Sequence, residues 1–133
     1  LVNVLVDTHY LLWTLVEPDR LDQRAREIIE NDGDPKYASA ITLWEISLKY
    51  ALGKLELGGI TPEQTLSAAI DSGFHVLPLD AEVAACAHRL PKLAGHRDPF
   101  DRLLIWQCIQ AGYAMLSWDR RFDEYARFGL ILA

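Results

Sequence analysis

The chain has 133 residues, 50% of them hydrophobic and 24% charged, and a formal net charge of −6. That length supports one substantial core rather than two, and the composition excludes the disordered and collagen-like classes. The acidity excludes a protein that grips nucleic acid with its whole surface, because such binding rests on many Lys and Arg neutralising phosphates, so any nucleic-acid chemistry here has to recruit cations.

Val2, Val4 and Val6 fall within an almost unbroken apolar run, the mark of a strand buried on both faces and central to a parallel sheet. Thr8 to Val16 reads as a short helix stopped by Pro18, and Leu21, Ala25, Ile28 and Ile29 repeat at helical spacing up to Gly33. After the Asp34-Pro35 turn, Lys36 to Ala40 makes a second strand, and Ile41 to Leu52 makes a helix ending at Gly53. Thr61, Pro62 and Gln64 carry the chemistry of a capped helix start, and that helix runs to Gly73. Phe74 to Leu79 gives a third strand, Asp80 caps a helix over Ala81 to Leu90, and Pro91 ends it.

Beyond the loop Lys92 to Arg97, Asp98-Pro99 leads into a helix over Arg102 to Ala111, then the strand Tyr113 to Ser117 and an edge strand within Gly129 to Leu132. This alternation implies right-handed crossovers and a mostly parallel sheet covered on both faces, in an α/β fold forming a single domain over residues 1–133. No apolar stretch approaches the ~20 residues that span a bilayer and no signal-like start is visible, so a cytoplasmic location without a membrane is expected. Cys86 and Cys108 lie on apolar helical faces without paired spacing and read as packing.

Asp7 closes the first apolar run, Asp119 follows the strand ending at Ser117, and Glu45 and Asp101 lie inside strongly apolar helical patterns. In a parallel sheet such positions deliver carboxylates to the carboxyl ends of the strands, where a reversal of strand order opens a crevice. Two carboxylates about 4 Å apart repel by roughly 4 kcal/mol at an effective dielectric of about 20, a large share of a small domain's net stability. A cluster of four therefore calls for a divalent cation, and oxygen ligands suit Mg²⁺ or Mn²⁺, which engage substrate phosphates as well.

Each acid also has a plainer reading. Asp7 is placed to cap the helix after it, Glu45 to pair with Lys49 four residues on, Asp98 to cap its own helix, and Asp119 to begin a turn with Arg120 and Arg121. Thr8, Ser39 and Ser117 stand beside the strand ends, either as hydroxyls for a metal-bound water or phosphate oxygen or as helix caps. Arg97, Arg102, Arg120 and Arg121 flank the acidic edge and are candidate phosphate contacts. The four His share no ligand spacing, and only His96 lies near the acids.

Three segments in order, Val4-Leu5-Val6-Asp7-Thr8-His9, Ser39-Ala40-Ile41-Thr42-Leu43-Trp44-Glu45-Ile46 and Asp98-Pro99-Phe100-Asp101-Arg102-Leu103-Leu104, resemble the signatures of PIN-domain ribonuclease toxins of the VapC type. Gly53-Lys54-Leu55 and Leu116-Ser117-Trp118-Asp119-Arg120-Arg121-Phe122 resemble that family too, leaving only the helix Pro62 to Ser72 generic. The resemblance implies a three-layer α/β/α sandwich, a Mg²⁺- or Mn²⁺-dependent endoribonuclease, and a cognate antitoxin as partner. Residue by residue, Asp7, Glu45 and Asp101 match core acidic positions, Asp119 matches a fourth that is Asp or Asn among relatives, and Asp98 is an extra acid of the Asp-Pro-Phe-Asp subgroup. Thr8 and Ser117 match as well.

The same resemblance implies a metal-activated water attacking structured RNA such as transfer or ribosomal RNA, products with a 5′ phosphate, and arrest of translation. It also implies homodimers that assemble with the antitoxin, for whose helix Leu11, Leu12, Trp13 and Trp44 offer a groove. Glu45 is a candidate to accept the nucleophile's proton, but sequence does not separate base from ligand. An aspartyl-phosphate phosphatase would need a second Asp where His9 stands, and a receiver-like switch finds only Pro78-Leu79-Asp80 after a middle strand. A PIN-like module that only binds is the remaining rival, and the presence of all four acids argues against it.

Overall fold

Val4–Val6 form β1, buried throughout, in a computed structural model that describes residues Leu1 to Ala133. The strand alternates its side chains across the sheet, Val4 and Val6 to one face and Leu5 to the other. It is followed by α1 (Thr8–Val16), α2 (Gln23–Glu30), β2 (Lys36–Ser39), α3 (Ala40–Ala51), α4 (Pro62–Asp71) and β3 (His75–Leu77). Then come α5 (Ala81–Cys86), α6 (Pro99–Ala111), β4 (Ala114–Leu116) and β5 (Ile131–Leu132). All strand pairs are parallel, in the order β3-β2-β1-β4-β5, so the sheet is wholly rather than mostly parallel.

From β1 the chain runs outward through β2 to β3, then crosses back to lay β4 on the other side of β1. The order therefore reverses between β1 and β4, which opens a crevice at their carboxyl ends. One face of the sheet packs Leu11 of α1, Ala25 of α2, Ile46 of α3 and Ala69 of α4 against Val4, Val6 and Leu116. The other packs Leu104, Ile105 and Cys108 of α6, with Phe122 and Tyr125, against Leu5 and Met115. The result is the expected three-layer α/β/α sandwich. No helix is long and apolar enough to cross a membrane.

Two boundaries differ from the sequence reading in ways that touch the site. Helix α6 begins at Pro99, not Arg102, with Asp98 capping the Phe100 and Asp101 amides, so Asp101 is its third residue. After Asp119 a 3₁₀ helix runs from Arg120 to Phe128, where the sequence suggested only a turn. Phe122 and Tyr125 are three residues apart, and a helix of three residues per turn puts both on one face and buries both. Helix α5 is also shorter than expected, passing at Ala87–Arg89 into a 3₁₀ turn.

Ser39 donates to Gln107 Oε1 at 2.6 Å and accepts from the Ile41 amide, while Gln107 Nε2 donates to the Pro78 carbonyl at 3.0 Å. One buried amide thus ties β2, α6 and the end of β3. Ser39→Ala is expected to cost about 1 to 3 kcal/mol, since it strands a buried acceptor. A urea unfolding midpoint unchanged from wild type would refute that assignment.

Candidate active site

Asp7 stands where β1 ends, 3% exposed, and its carboxylate is held from three directions. Oδ1 accepts from the Tyr10 amide at 2.8 Å, so the capping role is real. Oδ2 accepts from the Ser117 hydroxyl and the Trp118 amide, each at 2.9 Å, across the crevice beyond β4. Burial raises its pKa, partly opposed by these hydrogen bonds and by nearby His9. An acid kept in this position without a salt bridge is a costly feature for a cap alone.

Glu45 is 5% exposed on α3, flanked by outward-facing Trp44 and buried Ile46. Thr8 donates to its Oε1 at 2.7 Å, which joins the first turn of α1 to the first turns of α3. Its Oε2 is ion-paired with Lys49. The pair foreseen four residues apart therefore exists, but it is half sunk rather than a surface pair, and Thr42 lies 3.3 Å from Thr8 as a neighbour the sequence did not flag.

Asp101 sits on the first turn of α6. Burial raises its pKa, then the charge of Asp98, against the His96 hydrogen bond, with Glu45 adding to the rise. Glu45, Asp98 and Asp101 thus occupy one electrostatic neighbourhood. His96 Nε2 lies 3.3 Å from Asp101 Oδ2 and its Nδ1 2.9 Å from the Tyr125 hydroxyl. The imidazole is 2% exposed, so it belongs to the frame of the site and not to its open face.

Asp119 caps the Arg120–Phe128 helix and holds Arg121 in a forked ion pair, with Nη2 to Oδ2 at 2.6 Å. That pairing lowers its pKa. Its amide donates to Ser117 Oγ at 3.0 Å, so one hydroxyl links Asp119 to Asp7.

The acids are not bare, contrary to the premise that only a cation could reconcile them. Each carboxylate has protein donors, and two resident cations face the group. Lys49, despite desolvation, is raised by Glu45 and by the charges of Asp98 and Asp101; Arg121 is raised by Asp119 and also by Asp101 and Asp98. No three acidic, imidazole or thiol side chains close a ligand set by themselves. The donors nearest the crevice are all hard oxygens in a negative field, and Mg²⁺ ordinarily takes one or two carboxylates and keeps its waters. The residues fit such an ion as an open, water-completed site.

The other candidates divide clearly. Ser117 and Thr8 touch the acids directly. Ser39 is wholly buried on Gln107 and Ile41, a cap rather than a site hydroxyl. Arg102 donates to the Leu90 and Pro91 carbonyls and to Tyr125, which pins the preceding loop and occupies its guanidinium. Arg121 is held by Asp119, while Arg97 and Arg120 are exposed and enter no ion pair. Leu11 is core and lines no groove, whereas Leu12, Trp13, Val16, Ile46 and Leu55 line a depression of about 230 Å³ that reaches Thr8 and Glu45. The Glu45–Lys49 pair was foreseen and His96 was placed near the acids, whereas Tyr125 behind His96 and Thr42 beside Thr8 were missed. For Lys49 the spacing from Glu45 was the available signal.

A family model described as PIN domain matches residues 4–128. The chain is 28% identical over 125 residues to Ribonuclease VapC22 of Mycobacterium tuberculosis, covering 94% of this chain and 93% of that protein. Its fold is similar to that in the crystal structure of DNA-bound VapBC from Salmonella typhimurium, with a TM-score of 0.68 at 21% identity over 100% of this chain and 98% of that one. VapBC2 from Rickettsia felis, bound to a promoter DNA fragment, gives 0.63 at 16% identity over 98% and 96%.

A carboxyl whose pKa is raised by folding contributes stability in acid that is lost as pH rises through its folded value. At neutral pH without metal, charge on Asp101 therefore opposes folding. Asp101→Asn is expected to unfold at a higher temperature than wild type in chelator at pH 7, the gap closing as pH falls towards the ordinary carboxylate range. Thermal midpoints that coincide at neutral pH, or a lower one for the variant, would contradict the crowding described for Glu45, Asp98 and Asp101.

Proposed function

The chain belongs to the PIN domain family, and from that premise we propose that it is a Mg²⁺- or Mn²⁺-dependent endoribonuclease toxin of a toxin-antitoxin pair. Its substrate would be structured cellular RNA, transfer or ribosomal, whose cleavage in the cytoplasm stops translation and growth. The observation that carries the reading is the buried Asp7 carboxylate, clamped between the ends of β1 and β4 beside the Thr8–Glu45 pair. The name of the Mycobacterium tuberculosis relative supports ribonuclease chemistry, and the VapBC neighbours support an antitoxin partner.

Asp7, Glu45 and Asp101 would hold the ion, with Asp119 joining after exchange of Arg121. When bound, the metal lowers the pKa of a water and offsets charge on the phosphodiester. The chain's own residues do the positioning. Ser117 and the Trp118 amide fix the direction of Asp7, and Thr8 and Lys49 fix that of Glu45. Asp101 has no protein donor on Oδ1, which leaves that oxygen open to take the proton the attacking water loses. Asp98 caps α6 and strengthens the local negative field; it serves as a cap here rather than a ligand.

Exposed Trp44 and the depression beside α1 and α3 suit an antitoxin segment, and a homodimer is the expected assembly.

Purified protein freed of partner is expected to cut RNA with Mg²⁺ or Mn²⁺, leave 5′ phosphates, and stop in excess chelator. Asp7→Asn should abolish cutting with the circular dichroism spectrum unchanged, and Thr8→Ala should slow it about 10- to 100-fold, the usual cost of losing a ligand's orienting partner. Metal-independent cutting, full activity in Asp7→Asn, or no cutting by any preparation would reject the proposal.

A further inference from the structure

Trp118 is 54% exposed although its neighbours in the chain are tied to the acids, and such exposure of a large ring beside a buried carboxylate is unusual enough to ask what it meets. Its amide is fixed on Asp7. Its indole is braced from one side by Trp13, edge-on at 5.7 Å, and by His9, tilted at 5.3 Å, and Trp13 is itself covered by the Arg20 guanidinium at 4.4 Å. Trp118 also lines a cleft of about 470 Å³ that reaches Ser117, one hydrogen bond from Asp7.

The cleft also presents Arg24 and Arg120, neither of which enters an ion pair. Asp22 in the same wall is engaged by the Tyr10 hydroxyl at 2.6 Å and the Ala25 amide at 2.7 Å. Asp123 is the other acidic side chain, so among the side chains of the cleft two Arg stand against two Asp. Charge alone therefore supplies little affinity, and the braced aromatic face supplies most.

We propose that this cleft is a stacking subsite for one unpaired nucleotide of the RNA, next to the scissile phosphodiester, with the base on Trp118 and its phosphate on Arg24 and Arg120. The proposal rests on the ribonuclease reading. A volume of this size is ordinary for a small-ligand pocket of ~300 to 1,000 Å³. Stacking on an aromatic side chain tolerates any base, since each has a π face, and a ring held by its neighbours loses little freedom on binding. It follows that the preferred target is a loop or an unpaired junction rather than continuous duplex.

The test is fluorescence anisotropy of fluorescein-labelled oligo(A) and oligo(U) RNA with the full chain in excess chelator, where nothing is cut. Trp118→Ala is expected to weaken oligo(A) binding about 5- to 150-fold, the range for loss of one base–aromatic stack, while Trp118→Phe keeps most of it. Arg24→Gln and Arg120→Gln should each weaken binding and reduce the salt slope by about 0.7, as expected for one phosphate of a single strand. Wild-type affinity in Trp118→Ala would overturn the subsite, as would equal losses in the Phe and Ala variants or losses confined to binding of a protein partner. Should Trp118→Ala fail to fold, unchanged affinity in both Arg variants would overturn it. Wild-type protein that cuts RNA but binds it without Trp118 removes the subsite alone. Protein that stacks oligo(A) on Trp118 yet never cuts removes the nuclease reading alone.

Discussion

Everything at the working edge depends on Asp7 being shared between two strands that are not consecutive in the chain. β1 supplies the acid, and the segment leaving β4 supplies two of its three donors. The crossover from β3 to β4 exists to put those donors there, since it brings residues more than a hundred positions apart into hydrogen-bond contact. Hydrogen bonds of this kind favour the charged carboxylate and offset part of what burial costs it. They also fix the direction in which the remaining lone pairs point, and a ligand cage needs that before any ion arrives.

Around that clamp the chain arranges charge in a graded way. Glu45 and Asp119 have dedicated cations in Lys49 and Arg121, whereas Asp7 has only neutral donors and Asp101 only an imidazole. The less compensated pair lies where an incoming cation would gain most. Lys49 and Arg121 offset the charge of Glu45 and Asp119, and under the proposed function they would have to be displaced or re-aimed for a divalent ion. A candidate site can in this way carry crowded charge while the domain stays folded.

Much of this was readable from residues alone because the governing patterns are local. The apolar run ending at Asp7, the capping chemistry at Thr61 and Asp98, and Gly112 in the left-handed region after α6 each specify structure within a few positions. The acids were legible as strand-end and helix-start residues for the same reason. What escaped was what depends on distance in the chain. The 3₁₀ helix after Asp119 hides behind two Arg that look like a turn, and its Phe122 and Tyr125 gain meaning only when α6 covers them. His96 sits in a loop whose sequence says nothing of Tyr125, 29 residues on. The cation requirement was overdrawn because a sequence lists the carboxylates without their donors.

Tyr125 has a consequence beyond packing. Its hydroxyl oxygen accepts from Arg102 at 3.1 Å and lies 2.9 Å from His96 Nδ1, within reach of the hydroxyl's own proton. With the hydroxyl donating to Nδ1, a neutral imidazole carries its proton on Nε2, and that N–H faces Asp101. The guanidinium of Arg102 is thereby joined, through one hydroxyl and one imidazole, to an acid of the candidate site.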